Sequence, residues 1–150
     1  TVHANDAPGT ITRLLDIGIP PFLVGSCLNL VMAQRLVRRI CNNCKEEYSA
    51  TPEELAMIGL DPARVTDALY HGKGCTECRN TGYKGRLAIF EMIPMARELR
   101  KLVFESANED DIRQAALNNG MVTLREAGLA RVLDGTTTPE EILRSTVEDL

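Results

Sequence analysis

Apolar residues at helical spacing occupy the N-terminal part of the sequence. They predict a helix over residues 10–17 that ends at Gly18, because glycine readily takes the conformation that terminates a helix. Pro20 and Pro21 suit the first turn of a second helix over residues 22–27, where the missing proline N–H would have no partner anyway. The pattern therefore predicts two short helices before any strand.

From residue 28 the pattern becomes strand-like. Apolar residues occupy both alternating faces up to Arg38 and Arg39, which is typical of a strand buried on two sides. One face carries Leu28, Leu30, Met32, Gln34 and Leu36, and the other carries Val31, Ala33 and Val37. A second strand-like run covers residues 86–93, after a turn-forming segment. The two runs predict an antiparallel pair whose long connection, about residues 40–84, is an inserted subdomain.

Residues 95–150 show helical patterns throughout. Asn108 and the acidic residues after it suit a helix N-terminus, and Gly120 ends that helix. The string Thr-Pro-Glu-Glu predicts a capped helix from Thr51 inside the connection and another from Thr138. Together with the strand pair, these helices predict a mixed α/β fold.

Two Cys-x-x-Cys pairs carry the chemistry of the connection. Cys41 and Cys44 follow the first predicted strand, and Cys75 and Cys78 precede the second, with 30 residues between the pairs. Zinc takes four tetrahedral ligands, and each such pair delivers two thiolates from one tight turn. Two pairs complete a Cys₄ site that leaves no position for water or substrate. The spacing therefore predicts a structural zinc ion.

Three other uses of these cysteines compete with zinc. Two disulfides would suit a secreted chain, but the sequence shows no signal-peptide pattern and leaves Cys27 unpaired. A thioredoxin-like redox pair would need only one Cys-x-x-Cys beside a βαβ pattern. An iron–sulfur cluster also uses four thiolates, although paired turns differ from the tight ferredoxin run. Zinc is the favoured interpretation.

Several other residues have ordinary structural interpretations. Cys27 lies in an apolar stretch and is expected to be a small buried side chain. His71 is expected on the surface rather than as a further ligand, because the four cysteines already complete a site. Met92 and Met95 are expected to fill the core.

Composition places the chain among ordinary globular proteins. Its 150 residues are 44% hydrophobic and 25% charged, with a net charge of −4 that argues against nucleic acid as the main partner. Apolar runs are too short for a membrane span, so a soluble cytoplasmic protein is expected. The first residue is not Met, and the sequence is expected to be part of a longer parent.

Three further strings and the two cysteine pairs closely resemble the secretion ATPase superfamily. The strings are Thr1–Gly9, Arg13–Gly18 and Asn29–Val37, and the resemblance is to the assembly ATPases of type II secretion and type IV pilus systems. The cysteine pairs, with the string Gly82-Tyr83-x-Gly85-Arg86 after them, look like the tetracysteine zinc module of that subgroup. The resemblance covers essentially the whole chain.

This resemblance implies an architecture and an activity. Residues 1–39 would be the C-terminal part of a RecA-like ATPase core, residues 40–84 the tetracysteine zinc insert, residues 85–94 the returning core strand, and residues 95–150 a C-terminal helical bundle. The family forms homo-hexameric rings that couple ATP hydrolysis to movement of an inner-membrane platform protein. Cytoplasmic adaptor proteins are implied as further partners. The implied location is cytoplasmic, peripheral to the inner membrane through these partners.

The resemblance also implies a role for His3. The string around it looks like the family's His box, whose histidine lies near the nucleotide and the subunit interface. No Gly-x-x-x-x-Gly-Lys-Ser/Thr phosphate-binding loop occurs in this sequence, and the acidic boxes that position Mg²⁺ in the family are absent as well. ATP and Mg²⁺ are therefore expected only in the parent, and these 150 residues alone are expected to be inactive.

The alternative is a stand-alone zinc-ribbon module that binds a protein or nucleic acid. Such a module would need basic and aromatic surface around the cysteines. The insert contains only Tyr48, Tyr70 and Tyr83 as aromatic residues, and its charges nearly balance. The motor is favoured, without a distinction between secretion and pilus assembly.

Overall fold

The computed structural model describes residues 4–60 and 68–146. Its helices and its two longer strands lie close to the predicted ones, two short strands within the connection were not predicted, and the mixed α/β class is confirmed. The helices are α1 (Ala7–Asp16), α2 (Pro21–Cys27), α3 (Pro52–Met57), α4 (Arg97–Phe104), α5 (Glu109–Asn118), α6 (Leu124–Leu133) and α7 (Pro139–Ser145). The strands are β1 (Leu30–Ile40), β2 (Lys45–Tyr48), β3 (Leu69–Gly72) and β4 (Tyr83–Pro94).

The strands form two separate pairs. β1 pairs with β4, which confirms the predicted antiparallel pair around a long connection. Within that connection β2 pairs with β3, with Lys45 opposite Gly72 and Tyr48 opposite Leu69. The connection therefore has its own small sheet, which brings its two ends together.

One compact unit consists of the described residues up to Gln34 and of Phe90–Leu124. In this unit α1 packs against α5, and α2 packs against α4. Buried apolar side chains fill its core, including Ile11, Val24, Ile93, Leu99, Val103 and Ile112. Removal of this apolar surface from water is the main force that holds these short helices in place.

A buried carboxylate in the same unit binds two helix N-termini. Glu91 in β4 is only 2% exposed. It accepts hydrogen bonds from the Ala7 N–H at 2.8 Å and from the Leu124 N–H at 3.1 Å. These two residues begin α1 and α6, where backbone N–H groups lack partners within the helix and a negative charge is favoured.

The prediction that β1 is buried on two sides is wrong within the described part of the chain. Val31 and Val37 are buried, whereas Leu30, Met32 and Leu36 on the other face are about half exposed. β1 has β4 as its partner in a two-stranded sheet. An apolar run shows that a strand can be buried on both faces, but burial itself requires a layer on each face.

Two other burial predictions are also wrong. Cys27, at the end of α2, is exposed rather than buried. Met92 in β4 is half exposed, whereas Met95 is buried as predicted. In β4 the buried positions are Ile89, Glu91 and Ile93, so the strand alternation places Met92 on the opposite face.

The second compact unit contains the described residues of 35–89 and 125–146. Its buried charge is Glu141 of α7, which has no exposed side-chain surface. The Arg38 backbone N–H and side chain donate to this carboxylate at 2.7–2.9 Å, and the Arg144 side chain donates at 2.6 and 3.1 Å. Burial alone would raise the pKa of Glu141, but these hydrogen bonds lower it to about 2.

Acidification is expected to remove the stabilisation that Glu141 provides. Its pKa in the folded chain is about 2, below its ordinary value of 4.5. The contribution is therefore complete above pH 4.5 and is lost as the pH falls toward 2. In urea unfolding, Glu141→Gln is expected to be less stable than the unsubstituted chain by about 3 kcal/mol at pH 6, and by much less at pH 3.

The matched control is Glu140→Gln, because Glu140 is an exposed neighbour on the same helix. Both variants would lose a bound metal over the same acidic range, so the gap between them isolates Glu141. A gap that stays constant from pH 6 to pH 3 would contradict the lowered pKa.

Each of the two compact units combines two separate stretches of the chain. The segments predicted from the sequence are each continuous, so the two divisions are not equivalent. The division at residues 39, 84 and 94, the RecA-like core and the C-terminal helical bundle therefore stay predictions. Among the described helices, none has the length and apolar character needed to cross a membrane.

Candidate metal centre

Two tight turns present the four cysteines. Cys41 and Cys44 lie in the turn between β1 and β2, where the Cys44 N–H donates to the Cys41 carbonyl at 3.2 Å. Cys75 and Cys78 lie in the turn after β3, where the Asn80 N–H donates to the Cys75 carbonyl at 2.8 Å. Asn80 has a φ of 61°, a conformation that asparagine tolerates better than most residues. Each pair thus lies in a turn held by a local backbone hydrogen bond.

The four sulfur atoms form one compact group. All lie within 4.8 Å of one another. The Sγ atoms of Cys41 and Cys75 are 3.8 Å apart, as are those of Cys44 and Cys78, and those of Cys75 and Cys78 are 3.7 Å apart. Four sulfurs at about 2.3 Å from a central ion, in tetrahedral directions, would be about 3.8 Å apart. The structure thus brings together the cysteines named from the sequence, in a geometry that could hold one metal ion.

The same sulfur–sulfur distances argue against disulfides and against a four-iron cluster. All four are free thiols, and sulfurs 3.7–3.8 Å apart are far from the disulfide length of about 2.0 Å. In a four-iron cluster each thiolate binds a different iron atom, so the thiolates lie farther apart than around a single ion. The spacing therefore favours a mononuclear centre.

Backbone N–H groups point at two of the sulfurs. The Gly74 N–H donates to the Sγ of Cys44 at 3.3 Å. The Cys75 N–H and the Gly82 N–H donate to the Sγ of Cys78 at 3.2 and 3.3 Å. Hydrogen bonds of this kind orient metal ligands and stabilise the negative charge of a thiolate.

The thiols differ in pKa because their surroundings differ. Burial alone would raise the pKa of Cys78, but the N–H groups of Cys75 and Gly82 lower it to about 6. A hydrogen bond from Asn43 lowers the pKa of Cys75. Burial raises the pKa of Cys44 to about 12, with further contributions from the neighbouring thiols. Four sulfurs in so small a volume can all be ionised only when a cation lies among them.

His71 lies apart from the thiol group. Its Nε2 atom is 2.9 Å from the Oε1 atom of Glu46, and its ring stacks on Tyr48 at 5.1 Å. His3, the predicted His-box residue, lies outside the described residues. Gly74 and Gly82 were not predicted as N–H donors to the sulfurs. Their position within a few residues of the second cysteine pair could have indicated this role.

The fold and the site together define a class of protein. It is a mixed α/β chain in which a connection between two paired strands carries a closed four-thiol centre. Four protein ligands leave no open coordination position, which is the arrangement of a structural metal rather than a catalytic one.

Comparison with known proteins identifies the family within that class. A family model for type II/IV secretion system proteins matches residues 1–144. The chain belongs to this family, and the resemblance seen in the sequence motifs is confirmed.

The curated relatives include both pilus and secretion proteins. The chain is 44% identical over 151 residues to the type IV pilus assembly ATPase PilB of Myxococcus xanthus, covering 99% of this chain and 27% of that relative. It is 43% identical over 149 residues to the type II secretion system protein E of Pseudomonas aeruginosa, covering 99% and 29%. For PilB of Thermus thermophilus the identity is 45%, covering 99% and 17%. The chain thus spans less than a third of the length of these relatives.

Proposed function

We propose that this chain is the C-terminal, zinc-binding part of a hexameric motor ATPase that drives type II protein secretion or type IV pilus assembly. The observation that carries the proposal is the four-thiol centre in a chain that belongs to this family. Relatives named as pilus assembly ATPases support the motor activity, and their greater length supports a longer parent. In that parent, neighbouring subunits, an inner-membrane platform protein and cytoplasmic adaptors are the partners, and the location is cytoplasmic at the inner membrane.

Zinc is the metal that this centre suits best. Thiolates are ligands that zinc favours, and three of the six sulfur–sulfur distances, at 3.7–3.8 Å, match a tetrahedral Zn–S site. Cys41 and Cys44 lie at the start of the connection, and Cys75 and Cys78 lie near its end. One ion bound to all four would hold the two ends of residues 40–84 together. Its role in the motor is therefore structural.

ATP hydrolysis belongs to the longer motor in this proposal. Phosphoryl transfer depends on a phosphate-binding loop and on acidic residues that position Mg²⁺. This sequence contains no Gly-x-x-x-x-Gly-Lys-Ser/Thr loop, and the family's acidic boxes are expected, from the resemblance, in the longer parent. His3 would lie near the nucleotide and the subunit interface of the assembled ring. It would therefore act only together with the residues that bind ATP and Mg²⁺.

We expect no ATP hydrolysis by the 150-residue chain alone. The measurement is phosphate release from Mg·ATP under multiple-turnover conditions. Because trace ATPases contaminate many preparations, the matched control is a His3→Ala variant purified in the same way. Background activity is expected to be equal in the two preparations.

One result would overturn the proposal that ATP hydrolysis requires the longer motor. It is turnover by the unsubstituted chain that exceeds the background and falls in His3→Ala. Such activity would come from the chain itself and would require a nucleotide site within these 150 residues.

A further inference from the structure

Two glycines cross each other beside the thiol group. Gly72 ends β3, and Gly82 immediately precedes β4. A Cβ atom on Gly72 would overlap the Gly82 carbonyl oxygen and lie 2.6 Å from the Gly82 Cα, and a Cβ atom on Gly82 would overlap the Gly72 carbonyl oxygen. Side chains are therefore excluded at both positions by the backbone itself. We call this pair the glycine crossing.

The backbone of Gly82 contacts both cysteine pairs. Its N–H donates to the Sγ of Cys78 at 3.3 Å. Its carbonyl accepts a hydrogen bond from the Cys41 N–H at 2.9 Å. A single residue thus joins the turn of the first pair to a sulfur of the second pair.

Gly82 can occupy this place for two physical reasons. Its φ is +76°, a conformation that glycine adopts without steric cost and that other residues rarely adopt. Gly72 supplies the second reason, because a side chain there would push Gly82 away from Cys41 and Cys78. Gly72 itself does not have a positive φ. Its requirement for glycine therefore comes from the close approach alone.

We propose that the glycine crossing is a positioning element that sets the geometry and the affinity of the metal centre. This inference rests on the proposed zinc site. Groups that hydrogen-bond to metal ligands orient them and tune their donor strength, and their loss typically lowers metal affinity about 10- to 100-fold. Gly82 does this for Cys78 directly, and Gly72 does it by leaving room for Gly82.

Zinc affinity measured by competition with a chromophoric chelator tests the proposal. Gly72→Ala and Gly82→Ala are each expected to weaken zinc binding about 10- to 100-fold. The matched control is Gly59→Ala in the same connection. Gly59 has a φ of +71°, and within the described part of the chain a Cβ atom there would meet no atom within 4 Å, so Gly59→Ala reproduces the backbone strain of Gly82→Ala without the contact. Gly59→Ala is expected to change zinc affinity less than twofold.

A spectroscopic measurement covers the case in which an alanine variant does not fold. With ¹¹³Cd in place of zinc in the unsubstituted chain, the Gly82 amide proton is expected to show a scalar coupling to the metal through the hydrogen bond to Cys78. General destabilisation of the fold would not produce such a coupling. In Gly59→Ala the coupling is expected to persist, and in Gly72→Ala it is expected to weaken or disappear.

Two failures can be told apart. If the unsubstituted chain binds stoichiometric zinc, unchanged affinity in Gly72→Ala and Gly82→Ala, or absence of the Gly82 coupling, overturns the role of the crossing and leaves the zinc site standing. If the unsubstituted chain binds no stoichiometric zinc, the proposed zinc site fails and the inference fails with it.

Discussion

Replacing Cys41 with serine is expected to reduce bound zinc from one ion per chain to nearly none in the presence of a mild chelator. A serine hydroxyl is not ionised at neutral pH, so the ion would keep only three thiolates. Structural zinc sites contribute about 10–16 kcal/mol in small peptides, more than we expect from the short helix and two short strands in the described part of the connection. Residues 40–84 are therefore expected to loosen, and elemental analysis with amide hydrogen exchange measures both effects.

Cys27→Ser is the matched control for this experiment. Cys27 is a free, exposed thiol outside the four-sulfur group, so its loss changes the thiol count without touching the site. One zinc ion per chain is expected to remain. Removal of zinc from the unsubstituted chain should reproduce the Cys41→Ser exchange pattern, with protection retained in the β1–β4 pair. Global unfolding on chelation, or full zinc occupancy in Cys41→Ser, would contradict the structural role proposed for the ion.

Replacing Glu91 with alanine is expected to destabilise the fold by about 2–6 kcal/mol. The substitution leaves the N–H groups of Ala7 and Leu124 without their acceptor, and each unsatisfied buried donor costs about 1–3 kcal/mol. Glu91→Gln keeps one carbonyl oxygen as an acceptor, so its free energy of unfolding should lie between those of the unsubstituted chain and Glu91→Ala. Urea unfolding at neutral pH with excess zinc measures these differences.

Glu105→Ala separates this effect from the loss of a glutamate in general. Glu105 is mostly exposed, and its only ion pair among the described residues is to Lys101 at 3.8 Å. Its replacement is expected to change stability by less than about 0.5 kcal/mol. If Glu91→Ala were no less stable than Glu105→Ala, the buried carboxylate would not be holding the two helix starts.

Helix starts could be predicted because their signals are local. The Thr51 side chain accepts from the Glu54 N–H, and the Glu54 side chain accepts from the Thr51 N–H, as the predicted capping box requires. At the second Thr-Pro-Glu-Glu string only the threonine has its predicted local role. Thr138 caps its helix, but the Glu141 carboxylate binds Arg38 and Arg144 instead. A neighbour 103 positions away in sequence redirected a side chain whose local role looked clear.

Burial was less predictable than secondary structure. Leu30, Met32 and Leu36 have the apolar character of core residues, yet they are about half exposed. Cys27 is exposed for the same reason, because hydrophobic character alone does not supply a neighbouring layer. Burial depends on how all the elements pack together, so it cannot be predicted from about ten consecutive residues.

The sequence by itself determined the helices, the β1–β4 pair, the family and the four thiol ligands. Caps, strand alternation and the two-residue spacing within each cysteine pair act over a few consecutive residues, so they can be read without a fold. Only the tertiary structure decided that Glu91 would bind two helix starts, that Leu30, Met32 and Leu36 would be about half exposed, and that Gly72 and Gly82 would cross beside Cys78. These features join residues far apart in the chain, and they exist only once folding has brought those residues into contact.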